Sequence, residues 1–295
     1  MYQHLLVPLD GSPLAEAVLA PARMLAQAMQ ARVTLFHVLE RSAPKEVHGQ
    51  PHLTEAPAAE AYLKRLVDGL RQEGIPADCH VHDVAEPDVA ASIHSHAAEF
   101  GCDLIVLATH GQSGLREHVF GSIAQQVLGF GKTPILVFHP EEAAVTGFRR
   151  ILVPLDGATD HEAALPLAAD FAATFGATVH LMTAVPRRTD LGGAGRAGSL
   201  FLPRTTSAWL DIQEQESARY LQGLAANLRA SDIDARCRVD RGDPTETILQ
   251  ALADSHADLL VMATHARRGW AAFWNGSVGP GVLAGCRKPV LLARA

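Results

Sequence analysis

An α/β fold is predicted for this chain: two tandem, open, five-stranded parallel sheets with helices on both faces. Three observations carry the prediction. The chain repeats itself at a fixed offset, and within each copy short β-branched or leucine-rich runs alternate with longer amphipathic stretches. The runs LIVLA from Leu104 and LLVMA from Leu259 are apolar without alternation, as a central strand buried on both faces requires.

The repeat decides the domain count, which a length of 295 residues leaves between one and two. The motif VPLDG at Val7–Gly11 returns at Val153–Gly157, an offset of 146 residues. Later landmarks recur in the same order: DLIVLATHGQSG with DLLVMATHARRG, GSIAQQVL with GSVGPGVL, and KTPILVF with RKPVLLA. Domains are therefore expected over 1–140 and 149–295, with a linker at 141–148. Strands are predicted near 4–9, 32–39, 77–83, 103–108 and 134–138, and again near 150–155, 177–184, 234–239, 258–263 and 289–293, with helices between them. Stretches 40–58 and 186–208 read as surface loops rather than lids.

Composition narrows the function classes. Hydrophobic residues make up 48% of the chain and aromatic ones 5%, which suits a globular core built from Ala, Val and Leu. A formal net charge of -7 gives no general attraction to nucleic acid or to an anionic membrane. The four cysteines, Cys79, Cys102, Cys237 and Cys286, are scattered and form no CxxC pair, so a reducing cytoplasm is expected. The start, MYQHLLVPLDGS, does not read as a signal peptide, and no apolar run is long enough for a membrane span.

An open parallel sheet takes ligands beyond the carboxyl ends of its strands, at the switch point where connections leave in opposite directions. In copy one that rule selects Pro8, Leu9 and Asp10 after the first strand, His37 and Val38 after the second, and ATHGQSGLREHVFGS from Ala108 to Ser122 after the fourth. Glycines let backbone amides approach a phosphate closely, and the helix expected to open at Ser122 and Ile123 presents free N–H groups. Asp10 is a carboxylate suited to a ribose hydroxyl or an adenine amino group.

VPLDGS, FHV, ATHGQSGLREHVFGS and TPILVF together resemble the universal stress protein family across both repeats. That family's ATP-binding pattern is Gly, two residues, Gly, nine residues, Gly, then Ser or Thr. Gly111, Gly121 and Ser122 match its second part, and Ala108 stands where the first glycine belongs. The resemblance implies a Rossmann-like, adenine nucleotide alpha hydrolase-like fold that binds ATP, with or without Mg²⁺, as a stress-response sensor or regulator. It implies that Asp10 contacts the nucleoside, that Val38 borders the adenine, and that amides around Gly111, Gly121 and Ser122 hold phosphates. In copy two the matching positions are Asp156, Ala184, Ala263, Ala266, Gly276 and Ser277, so both earlier glycines are alanines there. The resemblance also implies that the closing strands pair across a domain interface, making an intrachain pseudo-dimer that exposed edges could extend to a homodimer.

Two alternatives stand beside the ATP sensor: a nucleotide-free scaffold with degenerated sites, and a slow ATP hydrolase using Asp10 or His110. Fast turnover is not expected, because no Walker lysine or second acidic cluster accompanies Asp10. His80 and His82 in CHVHD point to one face of a strand, but they read as exposed strand histidines. His94 and His96 do not converge on a helix, so no metal is expected.

Overall fold

The computed structural model describes residues 1–41, 46–47, 50–51, 53–108, 122–140, 145–191, 203–264 and 278–295. The described residues divide into two compact units: Met1–Gly147 with Arg287–Arg294, and Phe148–Thr264 with 278–286 and Ala295.

In unit 1, β1 (His4–Pro8), β2 (Arg32–Glu40), β3 (Ala77–Glu86), β4 (Leu104–Ala108) and β5 (Ile135–Phe138) form one parallel sheet in the order β3-β2-β1-β4-β5. The helices α1 (Pro13–Glu16), α2 (Leu19–Met29), α3 (Ala56–Gln72), α4 (Val89–Glu99) and α5 (Ser122–Phe130) lie between its strands in sequence. Unit 2 uses the same plan. There β6 (Arg150–Pro154), β7 (Thr178–Val185), β8 (Ala235–Arg241) and β9 (Leu259–Thr264) run parallel in the order β8-β7-β6-β9. Its helices are α6 (Ala164–Phe175), α7 (Pro203–Ala230), α8 (Pro244–Asp254) and α9 (Val278–Gly285). The last strand, β10 (Val290–Arg294), belongs to unit 1, where it runs antiparallel to β5 through Val290↔Val137 and Leu292↔Ile135.

The central strands carry no polar face: Leu5, Leu6, Val7, Leu104, Ile105 and Val106 are fully buried, as parallel strands covered on both sides must be. Helices cover them with one stripe each. Ala59, Leu63, Val67 and Leu70 of α3 recur at intervals of three and four residues and are all buried. An acidic side chain ties the start of the inner strand in both units. Asp103 accepts from the amides of Gln3 and His4 at 2.7 and 3.0 Å, and Asp258 accepts from those of Arg149 and Arg150. The helix after the first strand also ends alike, with a left-handed residue whose N–H returns to the helix: Gln30 in one copy and Gly176 in the other.

Element ends differ from the sequence reading where neighbouring strands set them. β2 and β3 run on to pair Glu40 with Glu86, so Val38 lies inside a strand rather than after it, and Ala184 likewise lies within β7. Stretch 40–58 is not one loop: Glu46–Val47 and Gln50–Pro51 pair as a short antiparallel ribbon, and α3 opens at Ala56. Stretch 186–208 is shortened similarly, by a 3-10 turn at Arg188–Asp190 and by α7 opening at Pro203, where proline lacks only an N–H that has no helical partner. Phe148, at the end of the expected linker, is buried against Phe171 and Phe175, with ring centroids 5.6 and 5.3 Å away.

One half-buried strand position is expected to make unit 2 sensitive to acid. His180 sits where copy one has Thr34: each is the partner of an equivalent residue, Leu152 or Leu6, in the preceding strand. Burial, and then the guanidiniums of Arg236 and Arg150, hold its pKa below 6.5 against the opposing pull of Asp234. The unfolded chain therefore binds the proton more readily than the native one, and stability falls as pH drops below 6.5 through the native pKa. His180→Thr should flatten this decline, as thermal unfolding from pH 7.5 to 5 will show.

Candidate functional site

Strand order creates a switch point in each unit. From β1 the sheet of unit 1 grows one way through β2 and β3, and the other way through β4 and β5. The carboxyl ends of β1 and β4 are thus neighbours whose connections diverge, which is where an open α/β sheet forms a crevice. In unit 2 the same relation holds between β6 and β9.

The turn after β1 is defined by its own hydrogen bonds. Pro8 closes the strand, and the buried Leu9 donates its amide to the carbonyl of Phe36 at 2.8 Å. Half-buried Asp10 accepts from the amide of Ser12 at 2.8 Å, folding an Asx turn over Gly11. Ser12 then caps α1 by accepting from the amide of Ala15 at 3.1 Å. Gly11 has φ +89, and a Cβ there would lie 2.6 Å from Leu53 Cδ1. His37, only 2% exposed, reaches from β2 to both sides of this turn. Its Nδ1 lies 2.7 Å from the carbonyl oxygen of Leu9 and its Nε2 3.1 Å from that of Leu53. The motif glycine is thus covered by Leu53, a residue that the sequence pattern does not single out.

The other expected residues fall as follows. Val38 is 7% exposed and pairs with His82. Ala108 ends β4 opposite Phe138, and its φ is not positive, so alanine is accommodated in extended backbone without left-handed strain. Ser122 and Ile123 open α5, as the sequence predicts. Gly111 and Gly121 lie outside the described residues, as do His110 and Gly114.

Copy two differs at its carboxylate. Asp156 accepts from the amide of Ala158 at 3.0 Å, as Asp10 does from Ser12, but it also accepts from His161 Nδ1 at 2.8 Å. The offset of the repeat puts Ala15 in the place of His161 in copy one. Partial burial would raise the pKa of Asp156, but the hydrogen bonds from His161 and Ala158 outweigh it and hold the carboxyl below its usual value. Ala184 lies in β7 opposite Asp240 and Ala263 lies in β9. Ala266, Gly276, Ser277 and His265 lie outside the described residues.

A model described as the universal stress protein family matches residues 1–139 and again residues 147–294. The chain belongs to the universal stress protein family. Its two matches make it a tandem member. It is 24% identical over 300 residues to a universal stress protein of Mycolicibacterium smegmatis, across 98% of this chain and 96% of that one. A Bacillus subtilis universal stress protein is 28% identical over 149 residues, covering 46% of this chain and 99% of its own. The crystal structure of a universal stress protein from Archaeoglobus fulgidus DSM 4304 shares the fold, with a TM-score of 0.74 and 17% identity, over 99% of this chain and 96% of that one.

The two motif glycines of this tandem universal stress protein should respond differently to substitution. Both have positive φ, but among the described residues a Cβ on Gly157 meets nothing within 4 Å whereas one on Gly11 meets Leu53. Gly157→Ala should cost about 1–2 kcal/mol from backbone strain alone. Gly11→Ala should cost more, about 2–3 kcal/mol, and should shift its unit's urea midpoint further. Equal shifts would mean that Leu53 does not press on the turn.

Proposed function

We propose that copy one binds ATP, or another adenine nucleotide, across the carboxyl ends of β1 and β4. In this reading Asp10 takes the ribose or adenine edge, and the β2 backbone at Val38 borders the base. The amides around Gly111, Gly121, Ser122 and Ile123 hold the phosphates, with or without Mg²⁺. Occupancy governs the binding of a protein partner in the stress response.

The observation that carries the reading is the pairing of β1 with β4 at the switch point, because Asp10 follows one of these strands and Ala108, which precedes the Gly-containing segment in sequence, ends the other. The opening of α5 at Ser122 adds a helix N-terminus directly after the loop motif, an arrangement that favours phosphate.

Copy two fits the scaffold alternative better. Alanines fill both early glycine positions there, whereas copy one keeps Gly111. A nucleotide hydroxyl would have to compete with an imidazole 2.8 Å from the carboxylate. The tandem protein is thus read as one working site and one structural copy.

Calorimetry on full-length protein stripped of nucleotide tests this. One ATP per chain is expected, lost in Gly121→Val, which places a branched side chain in the copy-one cradle, and weakened about tenfold or more in Asp10→Ala through loss of a charge-assisted hydrogen bond. His161→Ala should leave copy-one affinity unchanged. Absence of ATP heat and of thermal stabilisation would leave the scaffold reading, and two ATP per chain would show that the alanines and His161 are tolerated.

A further inference from the structure

Three histidines converge on the outer part of unit 1. His80 and His82 stand on the same face of β3, two residues apart, and His96 reaches them from α4. Each offers a ring nitrogen, and these atoms all lie within 4.8 Å of one another. The ring centroids of His96 are 5.2 Å from His80 and 4.8 Å from His82. The reading of His80 and His82 as exposed strand histidines is therefore corrected: both are half-buried, and the third imidazole arrives by tertiary packing of α4 rather than from a sequence neighbour.

The surroundings prepare these rings as ligands. His96 Nδ1 lies 2.8 Å from the carbonyl oxygen of Ser92, an acceptor that keeps the proton on Nδ1 and leaves the Nε2 lone pair available. Metal-bound imidazoles are commonly oriented by such a bond. The Nε2 of His82 is 3.1 Å from Glu86 Oε1, which supplies either an orienting partner or a fourth oxygen ligand. Glu99 Oε2 lies 3.9 Å from His96 Nε2 and adds negative charge. Phe36 and Phe100 wall the cluster, with their centroids 5.9 and 5.1 Å from His80. A tetrahedral zinc site with bonds of about 2.0–2.1 Å sets its ligand nitrogens about 3.3 Å apart, within reach of small side-chain rotations here.

Copy two shows that the fold does not require this cluster. Strand register places Arg238 and Asp240 where copy one has His80 and His82, opposite Met182 and Ala184 as the histidines are opposite Phe36 and Val38. Aligning the helix caps Asp88 and Asp243 places Ala251 at the position of His96. Instead of imidazoles, copy two has Arg238 paired with Asp240 and, at 2.8 Å, with Asp254. The equivalent positions carry ion pairs in one copy and three imidazoles in the other.

We propose that His80, His82 and His96, with Glu86, form a binding site for a divalent transition metal ion of the zinc class, clipping edge strand β3 to α4. The proposal is independent of nucleotide binding.

The test uses full-length protein freed of metal by chelation and titrated with Co²⁺ and Zn²⁺. One Co²⁺ per chain should give the intense visible bands of a four-coordinate site, displaced by equimolar Zn²⁺, and Zn²⁺ should raise the thermal midpoint of unit 1. His80→Asn and His96→Gln, checked for folding by circular dichroism, should each weaken binding by about a hundredfold. Glu86→Gln should weaken it about tenfold, whereas His94→Ala should not change it. X-ray absorption of the zinc-loaded wild type should show at least three imidazoles, a readout that needs no variant. The proposal is overturned if saturable binding is absent, if His80→Asn and His96→Gln bind as wild type does, or if the bound ion shows fewer than three imidazoles.

Discussion

The pairing of β1 with β4 is the constraint on which the site depends. Leu5 faces Leu104 and Leu6 faces Ile105 across it, all four fully buried, so the two strands are held by backbone hydrogen bonds on one edge and apolar packing on both faces. The carboxylate of Asp103, bound to two amides at the start of β1, fixes the register from the opposite end. Once that register is set, Asp10 follows β1 and Ala108 ends β4 at the carboxyl ends of two neighbouring strands. The second unit repeats the arrangement with Asp258, and both halves match the family model.

On this frame the copies have been given different chemistry. The turn carboxylate of copy two is engaged by His161, which has Ala15 as its counterpart. Copy one seats three imidazoles at the outer strand, where copy two has an Arg–Asp network. Both differences are made on one strand order that the two copies share. A tandem chain can in this way keep one copy for ligand binding and use the other for structure, and the proposed function rests on that division.

Much of this was legible in the sequence. The offset of the VPLDG motif predicted the two copies, and the unbroken apolar runs at Leu104 and Leu259 predicted strands buried on both faces. The strand ends were less legible, because the pairing of Glu40 with Glu86, rather than local propensity, lengthens β2 and β3. His96 was invisible for a related reason: helical spacing shows that it does not converge with His94, but not that α4 carries it over β3. Leu53 against Gly11 and His161 against Asp156 are likewise products of tertiary packing and of a local turn. A comparison of the copies position by position, at the offset of the repeat, would have drawn attention to His161 as a histidine opposite alanine.

Hydrogen exchange on the full-length protein, with and without ATP, reports where along the chain the nucleotide acts. If copy one is the nucleotide site, exchange slows only at amides around 9–12, 36–40 and 108–124, with no change around 155–158 and 263–278. Protection confined to the copy-two segments, or none in either copy at saturating ATP, would contradict it.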